Sequence, residues 1–128
     1  MKLLIDTHLL LWAASSPERL SEAATALMAD PENVLYFSVA SLWEVVIKSS
    51  LGREDFQADA ARLRRGLVDN GYIELPIIAG HSIAVADLPH LHRDPFDRIL
   101  IAQAKHEGLL LLTADVRVAD YGGPVRLV

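Results

Sequence analysis

The segment LLLL at residues 109–112 places the strongest constraint on how this chain can fold. A strand with one wet face alternates polar and apolar side chains. A short run that is apolar at every position has to be covered on both faces. KLLI at 2–5 and VLYFS at 34–38 read as two further short strands, YIEL at 72–75 as another, and VRLV at 125–128 as an edge strand. Segments with helical signals separate them. ERLSEAATALMA at 18–29 has helical composition and spacing, and Pro17 suits its first turn. Ser38 is placed to cap a helix over VASLWEVVIKSS, with Gly52 just past its end. Residues 56–69 are amphipathic, with Phe56, Ala60, Leu63 and Leu67 on one face. AGHSIAVADL at 79–88 reads as a short helix ended by Pro89. Asp94 and Pro95 read as the cap and first residue of the helix PFDRILIAQAKHE, which ends at Gly108. Strands alternating with helices predict an α/β fold whose parallel sheet lies between helical layers. In such sheets, sites form beyond the carboxyl ends of the strands.

The chain has 128 residues, which predicts one domain spanning 1–128 around a single core. A content of 52% hydrophobic and 23% charged residues argues against disorder. There is no cysteine, so disulfides, thiolate metal sites and cysteine nucleophiles are excluded, and a reducing, cytoplasmic setting is expected. Lys2, the leucines after it and AAS at 13–15 mimic a secretion signal weakly, but Asp6 and His8 break its apolar part. No apolar run approaches the ~18 residues of a membrane span. No glycine-rich phosphate loop and no HExxH zinc motif is present.

Acidic residues interrupt this apolar pattern at informative places. Asp6 directly follows the first strand, and Asp115 follows LLLL in LTAD. Both are expected at the carboxyl edge of the sheet. Glu44 sits inside the apolar stretch SLWEVVI, and Asp97 lies in the first turn of its helix. Each has a local explanation. Asp6 and Asp115 can end strands or cap the next helix, Glu44 can pair with Lys48 at i,i+4, and Asp97 can complement the helix dipole. Capping accounts for Asp94 fully. A shared divalent-metal site accounts for the other four together, because Mg²⁺ and Mn²⁺ take oxygen ligands and relieve the repulsion among crowded carboxylates. Such a site activates water and stabilises charge on a phosphoryl oxygen. The net charge of −5 argues against broad electrostatic binding of nucleic acid. Four of those charges fall in the proposed site, where bound cations invert the local field, so the objection weakens.

In LLIDTHLLLW, SVASLWEVVIKSSLG, LP with HRDPFDRILIAQA, and LLTAD followed by YGGPV, the chain resembles PIN-domain proteins, specifically the VapC-like toxin ribonucleases of type II toxin–antitoxin systems. The resemblance covers nearly the whole chain, and RDPFDRILIAQA is its most specific part. It implies a three-layer α/β/α, PIN-like domain with a central, mostly parallel five-stranded sheet. It also implies Mg²⁺- or Mn²⁺-dependent cleavage of RNA, a homodimer, and a cognate antitoxin that blocks the site. The family's four acidic positions correspond to Asp6, Glu44, Asp97 and Asp115, and Thr113 corresponds to a supporting hydroxyl. Asp6 and Asp97 are expected to carry the principal ion, and Glu44 and Asp115 to complete the site through a second ion or through waters.

Other residues invite weaker readings. His8 is expected as a partly buried helix histidine, with lining of the cleft as the alternative, and His90 and His92 fall on opposite sides of their stretch if it is extended. Arg62, Arg64 and Arg65 are expected on a solvated face, paired as Asp59–Arg62 and Arg65–Asp69, with RNA or antitoxin contact as the alternative. Arg98, beside Asp97, is a candidate for phosphate or interface contact. Trp12 and Trp43 are expected in the core or a dimer interface. Two other functions compete. Aspartate-based phosphoryl transfer would need a second aspartate at position 8, which is histidine, or an acidic pair before Asp6, which is absent. A non-catalytic α/β interaction module would use the acids structurally.

Overall fold

The computed structural model describes residues 1–128. Five strands, β1 (Lys2–Ile5), β2 (Val34–Ser38), β3 (Ile73–Leu75), β4 (Leu110–Thr113) and β5 (Val125–Leu127), form one sheet in the order β3-β2-β1-β4-β5. Every pairing is parallel, so the expected mostly parallel sheet is wholly parallel. Side chains on a strand alternate between faces, and the sequence uses this to build two cores. Leu3, Ile5, Phe37 and Leu112 pack on one face, and Leu4 and Leu111 on the other.

Helices α1 (Thr7–Ser15), α3 (Val39–Ser50) and α4 (Ala60–Asp69) cover the first face through Leu9, Leu10, Val45, Leu63 and Leu67. Helix α6 (Pro95–Glu107) covers the second through Leu100, Ile101 and Ala104, and α7 (Val116–Ala119) adds Val118. Helices α2 (Glu22–Ala29) and α5 (Ala79–Ala84) complete the set. Three layers result, with the sheet in the middle.

Most segments expected from the sequence appear, with shifted ends. Ser38 caps α3 through the Ala40 N–H at 3.0 Å, and Gly108 ends α6 in the left-handed conformation at φ 69°. Pro17 does not open the helix expected over 18–29. It opens a separate 3₁₀ turn, Pro17–Arg19, and Ser21 caps α2 instead. The segment 56–69 likewise divides, because Asp59 accepts hydrogen bonds from the N–H groups of Ala61 and Arg62 and so sets the start of α4. Residues 79–88 divide into α5 and a 3₁₀ turn at Val85–Asp87.

The chain order creates one privileged place in the sheet. From β1 it builds outward through β2 and β3, then crosses back to add β4 and β5 on the opposite side. The strand order therefore reverses between β1 and β4, and the loops leaving their carboxyl ends diverge there, opening a crevice.

Candidate active site

Asp6 leaves β1 and stands at this reversal. Its N–H donates to Leu112 of β4 at 3.1 Å, continuing the sheet by one residue. One carboxylate oxygen caps α1 by accepting the Leu9 N–H at 3.0 Å. The other accepts the Thr113 hydroxyl at 2.6 Å. Thr113 in turn accepts the Asp115 N–H at 3.0 Å. The two strand ends are thus tied through one threonine. Burial pushes the Asp6 carboxyl above its usual range; the bonds from Thr113 and Leu9 oppose the shift, and the charge of Glu44 adds to it. The capping explanation and the site explanation for Asp6 therefore coexist.

Glu44 is almost fully buried on α3. Thr7 Oγ1 lies 2.5 Å from its Oε1, to which it donates, and 2.9 Å from Ser41 Oγ. The other oxygen accepts from Lys48 at 2.6 Å. The expected i,i+4 pair is present, but it has a third member: Lys48 also donates to Asp94 at 2.7 Å. The lysine lies against the rings of Phe56 and Phe96, at 4.8 and 5.5 Å from their centroids. Burial opposes the charge on Lys48, and the two carboxylates more than restore it. Asp94 caps α6 through the Phe96 N–H at 2.9 Å, as expected, while its second oxygen is held by Lys48.

Asp97, in the first turn of α6, carries the heaviest electrostatic load. Burial and the charges of Asp94, Glu44 and Asp6 push its carboxyl up to about 6, against the lowering effect of a hydrogen bond from His92. Asp115 differs. Burial alone would raise it, but Arg117 overcomes this by hydrogen bonding to both carboxylate oxygens, at 3.3 and 3.0 Å, and holds it below its usual range. It also caps α7 through the Arg117 N–H.

Asp6, Glu44, Asp94 and Asp97 thus act on one another electrostatically, with Asp115 at the margin and drawn toward Arg117. No three of Asp6, Glu44, Asp97 and Asp115 bring ligand oxygens within 4.8 Å of one another; His92, Asp94 and Asp97 do. His92 donates to Asp97 across 2.7 Å. The donor set still suits a hard divalent ion. Carboxylate oxygens retain unused lone pairs beside their hydrogen bonds, and burial first, then neighbouring carboxylates, push Asp6 and Asp97 upward, so a cation would stabilise their charged forms.

The structure also places the remaining candidates, correcting Arg98 and the pairing of the basic cluster. Arg98 is buried and faces away from the acids. It donates to Pro89 and Val85 carbonyls at 2.8 and 3.2 Å and to the Tyr121 hydroxyl at 3.0 Å, so it braces the loop before α6. Trp43 is 58% exposed and stacks edge-on against Phe96, which removes it from the core. Trp12 is half-buried against the first core. In the basic cluster, the residue paired is Arg64, with Glu74 at 2.6 Å, rather than Arg62 or Arg65. His8 pairs with Asp55 at 3.0 Å and packs on Phe56.

A family model described as PIN domain matches residues 3–124. The chain belongs to the PIN-domain family. Solved structures share this PIN fold at low identity. A VapBC2 complex of Rickettsia felis, bound to a DNA fragment from its promoter, matches with TM-score 0.70 at 16% identity, covering 100% of this chain and 98% of that one. A toxin–antitoxin complex from Klebsiella pneumoniae gives 0.65 at 23%, covering 97% and 95%. VapC20 of Mycobacterium tuberculosis, described as a sarcin–ricin loop cleaving toxin, gives 0.62 at 16%, covering 94% and 95%. No curated protein matches the chain significantly. No helix of this PIN domain is long and apolar enough to cross a membrane.

Proposed function

We propose that this PIN domain is the toxin of a type II toxin–antitoxin module and cleaves RNA phosphodiester bonds with Mg²⁺ or Mn²⁺. The observation that carries the reading is the load on Asp97. Burial first, and then the carboxylates of Asp94 on the same helix and of Glu44 and Asp6 from elsewhere in the chain, push its carboxyl up, and a buried cluster of acids of this kind is costly unless a cation is bound there. Family membership supports nuclease chemistry, and the presence of antitoxin complexes among proteins of the same fold supports a protein partner that masks the site. The description of VapC20 as cleaving the sarcin–ricin loop supports RNA as the substrate. A homodimer is part of the proposal, and exposed Trp43 is a candidate for its interface.

Asp6 and Asp97 would hold the principal ion, and Glu44 and Asp115 would complete the site and orient the attacking water. Divalent metal, when bound, lowers the pKa of water and neutralises charge on the phosphoryl group. The chain's own part is positional. Thr113 and the Leu9 N–H hold Asp6 in one orientation, Thr7 and Lys48 do the same for Glu44, and His92 does so for Asp97. Water then attacks a backbone phosphate in line with the departing ribose oxygen.

The test is cleavage of RNA by the purified chain with Mn²⁺, with EDTA, and by Asp6→Asn. Metal-dependent cleavage, abolished by EDTA and by the substitution, is expected. Cleavage by Asp6→Asn at near the wild-type rate would overturn the reading. A phospho-aspartate formed from a small phosphodonor would favour phosphoryl transfer instead.

A further inference from the structure

We propose that His92 supplies a nitrogen ligand to the divalent-metal site and biases it from Mg²⁺ toward later first-row ions. The inference rests on the metal site proposed above, and adds a residue outside the four-acid set.

Three observations carry it. The first is distance. His92 Nε2 stands 2.7 Å from Asp97 Oδ2. Two neighbouring ligands of an octahedral ion, each about 2.1 Å from it, stand about 3.0 Å apart. To accept an ion beside the present hydrogen-bond axis, the pair opens by a few tenths of an ångström and the imidazole turns so that its Nε2 lone pair points beside Asp97 Oδ2 rather than at it.

The second is free ligand capacity. His92 Nδ1 has no partner within the chain, so it can take the proton when Nε2 gives its lone pair to a metal. Asp94, the third member of the group, has one oxygen on the Phe96 N–H and the other on the ammonium of Lys48, so a cation already faces it. The other group of this kind, His81, His106 and Glu107, fails the same test. His81 Nδ1 accepts the Ile78 N–H, so in the neutral ring the proton sits on Nε2, the atom facing Glu107.

The third is that the histidine is held in place. Its N–H donates to the Tyr121 hydroxyl at 3.0 Å, and that hydroxyl donates back to the His92 carbonyl at 3.3 Å. Arg98 fixes Tyr121 from the other side. A loop residue between Pro89 and α6 is thereby pinned to a chain segment 29 positions away, with its imidazole aimed at Asp97. An all-oxygen site favours Mg²⁺, whereas an imidazole strengthens binding along the series from Mn²⁺ to Co²⁺, Ni²⁺ and Zn²⁺.

The experiment uses the full chain with metal alone. Calorimetric titration with Mg²⁺ and with Co²⁺ is compared for wild type, His92→Gln and Asp6→Asn. In parallel, ¹⁵N-histidine spectra of the wild type are followed as Zn²⁺ is added, the His92 signal being the one missing from His92→Gln. Removing the orienting contact to Asp97 weakens both ions, so His92→Gln is expected to lose Co²⁺ affinity on the order of tenfold more than it loses Mg²⁺ affinity. The His92 Nε2 resonance is expected to move on Zn²⁺ addition. An unmoved resonance, or equal loss for both ions, would make His92 only an orienting partner of Asp97 and overturn the inference. If His92→Gln does not fold, His92→Asn takes its place in the titrations and identifies the His92 signal. Failure of the site itself looks different: no divalent ion binds the wild type, or Asp6→Asn binds as well as it does.

Discussion

Thr113 donates its hydroxyl to Asp6 across 2.6 Å, joining two residues 107 positions apart at the point where the strand order reverses. The same oxygen accepts the Asp115 N–H, so one buried side chain aligns two of the proposed ligands. Thr113→Val keeps the shape and removes both interactions. It is expected to destabilise the protein by about 1–3 kcal/mol in denaturant unfolding, because a buried carboxylate loses its donor. Mn²⁺ affinity is expected to fall about tenfold or more in calorimetry, because the ligand loses its orientation. Thr113→Ser should restore most of both; a Val variant with unchanged Mn²⁺ affinity would remove the threonine from the site.

The charge on Asp97 sets a pH dependence with a definite sign. Its carboxyl titrates near 3.8 when unfolded and near 6 when folded, raised by burial and then by Asp94. Between these values the native state keeps a proton that the unfolded chain has lost. Stability from this group is therefore fully present below about pH 4 and is lost as pH rises through about 6, by on the order of 3 kcal/mol. Asp55, Asp94 and Asp115, which are lowered, lose their contributions only at more acidic pH. In EDTA, Asp97→Asn should gain stability over wild type at pH 7 and little at pH 4.5, as read from urea midpoints. An equal difference at both pH values would contradict a crowded Asp97.

Strands and caps were legible because their signals are local: consecutive leucines, Ser38 before an apolar run, Asp94 before Pro95, Gly108 after the last helical turn. Helix α1 was hidden for a related reason. Thr7–Ser15 is apolar nearly all round, so no periodicity marked its extent, although Asp6 was open to a capping role. Arg98 was misread, and Trp43 was left between core and interface, through one shared cause. Each adjoins a site acid on a helix, and neighbours on a helix point about 100° apart. Burying Glu44 turns Trp43 outward, and aiming Asp97 at the crevice turns Arg98 toward the loop. The second partner of Lys48 and the pairing of His92 with Asp97 had no local signal, because tertiary packing alone creates them.

Lys48 answers part of the negative charge before any metal arrives. It bridges Glu44 and Asp94, and its loss leaves Glu44 buried with only the hydroxyl of Thr7 as a donor. Breaking a buried pair from one side costs about 3 kcal/mol or more. Lys48→Met should therefore lower the melting temperature in EDTA. It should also respond more strongly to Mn²⁺ than wild type does, since the added ion then meets a less neutralised cluster. Differential scanning fluorimetry with and without Mn²⁺ reads both effects. A smaller Mn²⁺ shift in Lys48→Met would mean that the lysine serves to hold the ligands rather than to offset their charge.

Asp6→Asn separates the cost of the site from its use. Burial and Glu44 both oppose the charge of Asp6, and asparagine keeps an oxygen for the Leu9 N–H while removing that charge. Its amide can donate to Thr113 Oγ1, whose own hydrogen is then free to turn away. Without metal, the variant should melt at a higher temperature than wild type at pH 7. With saturating Mn²⁺ the order should reverse, because only the wild type gains binding energy from a complete ligand set. A variant that melts at or below the wild-type temperature in EDTA would show that Asp6 is satisfied by its hydrogen bonds alone, and that its negative charge costs the fold nothing that a cation must relieve.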